Sequence, residues 1–597
     1  MPTSAIAALL QEAIAHCEQG RFADGIDLAR KAIALDPTAA RAHKLLGMAL
    51  SRLGRNAEAL ASLDCAISLA PAADAYGSRA DVLVALGRGA EAVESFDRAL
   101  ALAPNSVVDW CNRGAMLHEL GRNQEAVESF DRAIGLQPAF AEAHYNRGNA
   151  LVELDRHAEA LASYDQALVI NPGYLDALNN RADALDRMGR QAEALAGVER
   201  ALALDRDNVG ALITRAVLLR KQGRSDEALI SCERALALRP DDGQALNVRA
   251  DVLIDLEKFD AALAALDTLI LRDPAAAGPK WNKSLICLGL GRFTEGWSLY
   301  EHRWAGAQGL VPRGYPQPRW HGGRVDGTLL LWSEQGLGDE ILHGSMLPDI
   351  IGRTGSIVLE VEPRLVRLFA RSFPAMQVIG LRPELYNGRV DVQEPLGGLG
   401  HYLRPGWEAF PCRDHGYLIA DAARANKLRT HLTRDGRSVV GLSWISKAPF
   451  GGKSKSARLS DFAPLLRMPG LRFVDLQYGD TSEERAAIER DTGVRVERLP
   501  DIDTMNDIDG LAALITACDA VVTVSNTTAH LAGALGRPTW VMVPHGHARI
   551  WYWFRDRPDS PWYPRVRVLP QQRAQPWADL IAAVGSELSE LVASGVV

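Results

Sequence analysis

The sequence predicts an α-helical solenoid followed by an α/β region built from two facing halves. Three observations predict it. Small-residue corners and closing prolines recur 34 residues apart through the first half, the recurrence stops in the Gly/Pro-rich segment 305–327, and short apolar strands then alternate with helices. A chain of 597 residues also exceeds what one hydrophobic core supports, so several modules are expected.

The corners come first. Gly20, Gly54, Gly87, Gly121, Gly189, Gly223 and Gly291 fall in register, since 54 − 20, 121 − 87 and 223 − 189 all equal 34. Pro37, Pro71, Pro104, Pro138, Pro172, Pro240 and Pro274 run in phase with them, each closing a helical pattern that a proline cannot continue. Between these markers lie two amphipathic helices per unit, as in AEAHYNRGNALVEL and RHAEALASYDQALVI. With Gly114, Ala126, Phe130, Ala133 and Pro138 at the marker positions of the fourth unit, this pattern resembles the tetratricopeptide repeat family. The resemblance covers residues 1–304 and implies a right-handed superhelix with a concave, ligand-accepting inner surface; a structural spacer is the alternative.

Two polar columns share the period. Asn112, Asn146, Asn180 and Asn282 occupy one repeat position, and an amide matches a peptide backbone as both donor and acceptor. The column resembles the asparagine ladder by which eukaryotic O-linked N-acetylglucosamine transferases hold polypeptide acceptors, and it is equally compatible with repeat consensus. Arg79, Arg113, Arg147, Arg181, Arg215, Arg249 and Lys283 form the other column. Asp64, Asp97, Asp131, Asp165, Glu199, Glu233 and Asp267 stand about one helix upstream of these cations, so salt bridges between helices are favoured over a grip on an acidic partner.

Beyond EGWSLYEHRW the linker 305–327 leads to the strands TLLLWS, SIVLEVE, MQVIG, VVGLSWI, RFVDLQ, AVVTVS and TWVMV. They divide into an N-terminal half, 328–436, and a C-terminal half, 437–597, each expected to be a Rossmann-like parallel sheet. Ser525, Asn526, Thr527 and Thr528 end the strand AVVTVS where the helix AHLAGALG begins, a corner whose free amides and dipole favour phosphate. Helix capping by the same residues is the alternative, and His530 reads better as a packed histidine than as a ligand contact. A second corner, Gly336-Leu337-Gly338-Asp339, opens the helix after TLLLWS.

The ordered motifs EQGLGD, GLSW, VDLQYG, DAVVTVSNTTAHLAGALGRPTWVMVP and SPWYP resemble bacterial glycosyltransferases related to lipopolysaccharide heptosyltransferases, especially those fused behind tetratricopeptide repeats. The resemblance implies a GT-B type fold, two Rossmann-like halves facing a cleft. It places the nucleotide-sugar donor on the C-terminal half, where Ser443, Gln477, Ser525, Asn526, Thr527, Thr528 and His530 are donor-side candidates; Lys447, Lys453, Lys455 and Ser456 are candidates for stabilising the charge on the leaving nucleotide, with a solvated basic loop as the alternative. It sets Glu334, Gln335, Gly336 and Gly338 on the acceptor side and Asp339 as the catalytic base, for which a helix cap is the alternative. The sequence departs from the commoner pattern in SWISK and GKSKS, which leaves the sugar open.

The remaining features narrow the reading. A formal net charge of −8 argues against a general nucleic-acid surface. Seven scattered cysteines without a C-x-x-C pair fit a reducing, cytoplasmic location, and no leader or membrane span is expected. No cofactor or metal is expected: Asp501, Asp503, Asp507 and Asp509 read as turn and cap residues, and His545 with His547 lacks partners for zinc. Trp551, Tyr552, Trp553, Phe554, Trp562 and Tyr563 read as packing, with flanking of the base or sugar as the alternative. The leading expectation is a glycosyltransferase that modifies Ser/Thr of a polypeptide held by the repeats. Bacterial flagellin-modifying transferases are the specific resemblance, implying flagellin as acceptor and a cytidine-monophosphate-linked nonulosonic acid such as pseudaminic acid as donor. A glycan-directed transferase and a non-catalytic adaptor are the alternatives.

Overall fold

The computed structural model describes residues 2–305, 310–447 and 452–593, without the side chains of residues 2, 3 and 589–593. The chain forms two compact units, Met1–Ala245 and Leu246–Val597.

The first unit is entirely helical among its described residues, in pairs such as Ala141–Glu153 with His157–Ile170. Gly114 and Gly148 sit where helices cross: a Cβ on Gly114 would stand 2.7 Å from the Phe130 ring, and one on Gly148 would strike Tyr164. This is why a small residue and an aromatic recur 16 apart in those repeats. The Arg that follows most corners pairs with the Glu three residues on, as in Arg122–Glu125 at 2.7 Å and Arg190–Glu193 at 2.7 Å, clamping the first helical turn. The longer-range Arg column is structural. Arg113, Arg147 and Arg215 each donate Nε to a carboxylate one helix back at 2.7 Å and Nη1 to a serine one helix forward at 2.7 Å. Arg79–Asp64 and Arg181–Asp165 repeat the ion pair at 2.6 Å.

The corners are left-handed, which suits glycine. Two members of the series, Asp155 (φ 56°) and Glu257 (φ 55°), keep that conformation without being glycine. They stand 34 residues after Gly121 and Gly223, so the period is unbroken where the glycine signal lapses.

The second unit contains the helices Phe259–Arg272, Ala277–Gly289 and Phe293–Tyr300, then two parallel sheets. The first sheet comprises β1 (Val325–Trp332), β2 (Thr354–Val361), β3 (Gln377–Gly380) and β4 (Val392–Pro395), ordered β3-β2-β1-β4. The second comprises β5 (Ser438–Ser443), β6 (Leu471–Asp475), β7 (Val496–Glu497), β8 (Ala520–Val524), β9 (Thr539–Val543) and β10 (Val566–Pro570), ordered β10-β9-β8-β5-β6-β7. Central strands β1, β5, β8 and β9 end in fully buried residues, as continuous apolar runs covered on both faces should. The expected linker is anchored at points along its described part: β1 begins at Val325, Trp320 is 1% exposed, and Arg319 holds Glu394 through two 2.7 Å bonds.

Within this unit the last repeat helices share one core with the sheets. Trp297 donates to the Arg404 carbonyl at 2.9 Å and meets Trp551 edge-on. Glu257, at its left-handed corner, accepts from the Gly546 amide (3.2 Å) and Arg555 (3.0 Å). At the next corner, Gly291, a Cβ would overlap the Trp407 ring.

Candidate functional site

The first wall of the site follows β1. Ser333 ends the apolar run, Gly336 caps the helix Leu337–Gly344, and Asp339 is its third residue. Asp339 is therefore not the N-cap; its carboxylate is positioned to reach back to the Gly336 amide, as an acid at this position of a capping box does. Burial pushes Asp339 from its ordinary value of 3.8 up to about 6, against the opposing pull of the Gly336 hydrogen bond and the charge on Lys455.

The second wall follows β8. Asn526 caps the helix Thr527–Ala534, accepting from the Ala529 amide at 3.3 Å. Its amide nitrogen donates to Ser443 Oγ (2.8 Å) and the Ile445 carbonyl (3.1 Å), tying the ends of β5 and β8 together. Gln477 is fully buried and its Oε1 accepts from Ser443 Oγ, the Trp444 amide and the Ile445 amide at 2.8–3.0 Å. Ser525 accepts from Trp553 Nε1 at 2.8 Å. Ser443, Gln477, Ser525 and Asn526 thus build the wall rather than offering side chains from it. Thr528 is 1% exposed, whereas Thr527 is half-buried.

The two helices pack on one another, and Gly338 permits it: a Cβ there would stand 3.0 Å from His530 Cδ2. His530 is held by Tyr563 Oη at Nδ1 (2.7 Å) and Tyr552 Oη at Nε2 (3.2 Å), over the Trp553 ring. Burial pushes it down to about 3, with His343 and Lys455 adding repulsion, so it is neutral and works as a hydrogen-bonded strut. The packed-histidine reading is the one observed. Tyr552, in turn, feels the Asp339 charge and is raised well above its ordinary value, chiefly by burial.

The basic loop divides. Lys455 is 4% exposed; burial lowers its pKa and Asp339 raises it, so the two charges are neighbours. Lys453 and Ser454 are exposed. Lys447 is exposed too, its amide donating to Tyr478 Oη at 2.6 Å and its ammonium lying over the same ring. Ser456 folds the loop, accepting from the Ser446 amide (2.9 Å) and donating to the Gly452 carbonyl (2.7 Å).

On the acceptor side one expectation is corrected. Glu334 does not face a cleft; both oxygens accept from Arg303 at 3.0 Å, and both side chains are at most 1% exposed. Gln335 donates to Tyr300 Oη at 3.1 Å. Charge compensation of a buried guanidinium explains the glutamate better than substrate contact does. Tyr552, Tyr563 and Tyr300 had no sequence signal separating them from the packing aromatics around them; the expected packing role holds for Phe554, stacked on Trp562.

Other candidates resolve locally. Asp507 caps a helix through the Gly510 amide (2.9 Å) and pairs with Arg424, while Asp509 forms a two-pronged pair with Arg371. His545 lies 3.5 Å from Glu257. Asn112, Asn146, Asn180 and Asn282 are each half-buried. Asn180 donates to Asn149 Oδ1 (2.8 Å) and Tyr145 Oη (3.2 Å), and Asn146 hydrogen-bonds Cys111, so these amides already link neighbouring repeats.

Together these features describe a chain that carries tetratricopeptide repeats and continues into a parallel-sheet α/β region. Residues 10–72, 46–107, 117–174 and 179–243 match one tetratricopeptide repeat model and 219–278 a second. The chain is 36% identical over 338 residues to Protein FlbA of Caulobacter vibrioides (strain ATCC 19089 / CIP 103742 / CB 15), an alignment covering 52% of this chain and 55% of that protein. It thus spans about half the length of that curated relative. Among solved structures, a tetratricopeptide repeat protein from Parabacteroides merdae is 17% identical, covering 41% of this chain and 98% of that one, with a TM-score of 0.34. Yeast Tom70 is 20% identical, covering 42% and 54%, with a TM-score of 0.32. No helix among the described residues is long and apolar enough to cross a membrane.

Proposed function

We propose that the protein is a nucleotide-sugar-dependent glycosyltransferase of the GT-B type that acts on Ser/Thr hydroxyls of a polypeptide held by the repeats. The observation that carries this reading is Asp339, raised to about 6 at the start of one helix beside the buried Lys455, with that helix packed on the one that begins at Thr527. A carboxylate with that pKa is ionised at neutral pH yet basic enough to accept a hydroxyl proton. In the proposed step the acceptor oxygen bonds to the anomeric carbon, its proton passes to Asp339, and the bond from that carbon to the nucleotide phosphate oxygen breaks with its electron pair leaving on the phosphate. Lys455 and the free amides of the helix at Thr527 would stabilise the departing charge. The parallel order of both sheets supports ligand binding at their carboxyl ends, where both corners lie.

The acceptor class proposed is flagellin and the donor a cytidine-monophosphate-linked nonulosonic acid, on the strength of the motif resemblance. The test is intact mass of flagellin, and of a saccharide acceptor, after incubation with the full chain and that donor. A mass increment on flagellin alone is expected. An increment on the saccharide alone replaces the polypeptide reading with a glycan-directed one, and no donor binding by calorimetry replaces both with a non-catalytic adaptor.

A further inference from the structure

The net charge of the chain belongs to its first unit. Residues 1–245 hold 26 Lys/Arg against 34 Asp/Glu, a net charge of −8, whereas residues 246–597 hold 40 of each. The Arg–Glu clamps and the Arg column pair cation with carboxylate one for one, so they leave the surplus acid unmatched. Part of it gathers on one layer of helices. Ala141–Glu153 meets Val107–Glu119 on one side and Leu175–Arg187 on the other, each backed by the second helix of its own pair. Arg113, Arg147 and Arg181 in this layer are held by Asp97, Asp131 and Asp165, Arg187 by Asp183 at 2.9 Å, and Asp186 by Lys221. His118 bonds Asn123, and His144 the Pro138 carbonyl. Asp109, Glu119, Glu142, Glu153 and Asp176 have no ion pair among the described residues, and all but Asp109 are exposed.

Aromatic surface lies among these carboxylates. Glu142, Tyr145 and Asn149 fall three and four residues apart on one stripe of their helix. The Tyr145 and Tyr174 rings have centroids 4.9 Å apart at 40°, and Glu142 and Asp176 occupy the first turns of the two helices. Val108, at the repeat position of Glu142, is 62% exposed. The grouping registers on Tyr174, whose hydroxyl is pushed up to about 12, first by burial and then by Tyr145, Glu142 and Asp176. Asn146 and Asn180 are tied to Cys111, Asn149 and Tyr145, so the open chemistry of this layer is ring and carboxylate rather than amide. Such a surface suits an ammonium or guanidinium: ring face and carboxylate attract the same charge, and the alkyl stem covers the ring.

We infer that this layer of first helices docks a basic stretch of polypeptide, whose lysine or arginine side chains lie on Tyr145 and Tyr174 and meet Glu142 and Asp176. The inference rests on the polypeptide reading of the repeats and adds to it the charge of what they hold. Packed helices stand about 8–10 Å apart and an extended chain spans ~3.3 Å per residue, so cations about three residues apart match successive repeats.

The probes are synthetic Ser/Thr/Gly peptides of about twelve residues, long enough to cross three repeats, with Lys, Gln or Glu at every third position. Each carries a neutral dye and is titrated by anisotropy against the full-length protein with no sugar donor present. The Lys peptide is expected to bind about tenfold tighter than the Gln peptide, the Glu peptide more weakly than either, and the Lys affinity to fall as salt rises. Glu142→Gln and Asp176→Asn should each weaken the Lys peptide about threefold, the weight of a partly exposed ion pair, and leave the Gln peptide unchanged. Tyr174→Leu should weaken it about threefold, whereas Tyr174→Phe, which keeps the ring, should not. Glu94→Gln and Glu128→Gln remove the same charge from exposed positions on second helices and should change nothing. Equal affinity for the Lys and Gln peptides overturns the inference and leaves the polypeptide reading standing. Equal losses in Glu94→Gln and Glu142→Gln reduce the effect to bulk charge and overturn the docking layer. Binding by none of the peptides overturns the inference and the polypeptide reading together, while sugar transfer is judged separately by product mass.

Discussion

Replacing Asp339 with Asn separates its proposed catalytic role from its effect on stability at one atom. The native carboxyl titrates at about 6 against an ordinary 3.8, roughly two units, and each unit corresponds to ~1.4 kcal/mol of differential stability. Because the folded pKa is raised, the fold favours the protonated form. The penalty is nil below about pH 4, grows as pH rises from 3.8 through 6, and reaches ~3 kcal/mol above it, a figure already net of the attraction to Lys455. Asn cannot ionise, so Asp339→Asn should be more stable than the native chain at pH 7 by up to ~3 kcal/mol and equal to it near pH 4. Turnover should fall by about 100- to 10,000-fold, or ~3–5 kcal/mol of barrier, because the hydroxyl proton has lost its acceptor. The native kcat/KM should decline as pH falls through about 6, since the base must be ionised. Chemical denaturation at the two pH values and product mass against time are the assays. A folded Asp339→Asn protein with native turnover, or one destabilised at pH 7, would refute the reasoning.

Lys455→Met should move the acid limb of kcat/KM to higher pH, because the cation that lowers the Asp339 pKa is gone; an unmoved limb would show that the two charges do not communicate. Glu334→Gln leaves the buried Arg303 with only Glu301 as counter-ion, and a loss of about 3 kcal/mol is expected in denaturant unfolding. A loss below about 1 kcal/mol would mean that water reaches the pair. Gly189→Ala and Gly291→Ala both place a side chain at φ near 75°, costing ~1 kcal/mol each, but only the second also meets Trp407. A larger loss for Gly291→Ala by thermal unfolding is expected, and equal losses would deny the contact.

The repeats were legible because a solenoid writes its packing into every unit: the aromatic at Phe130 and the small residue it needs at Gly114 lie in one sequence window. The strands were legible where they are buried on both faces, as in β1, β5, β8 and β9. The four-residue β4 (VQEP) carries two polar residues and a proline, and the two-residue β7 is too short for periodicity to register. The site was legible only at its corners. Ser525, Asn526 and His530 announce a strand-to-helix turn, but whether each side chain serves a ligand or the wall depends on Trp553, Ser443 and Tyr552, residues 22 to 83 positions away. Glu334 shows the same limit, because its partner Arg303 belongs to the end of the repeats.

The corners at Glu257 and Gly291 bear on how the molecule can be cut. Trp281, Phe293, Trp297 and Tyr300 lie in the same hydrophobic cluster as the strands of both sheets, so a truncation placed at the last repeat would tear open an interior rather than remove a handle. Any shortened form, or any graft of this unit behind a foreign segment, should keep the chain from about residue 246 onward.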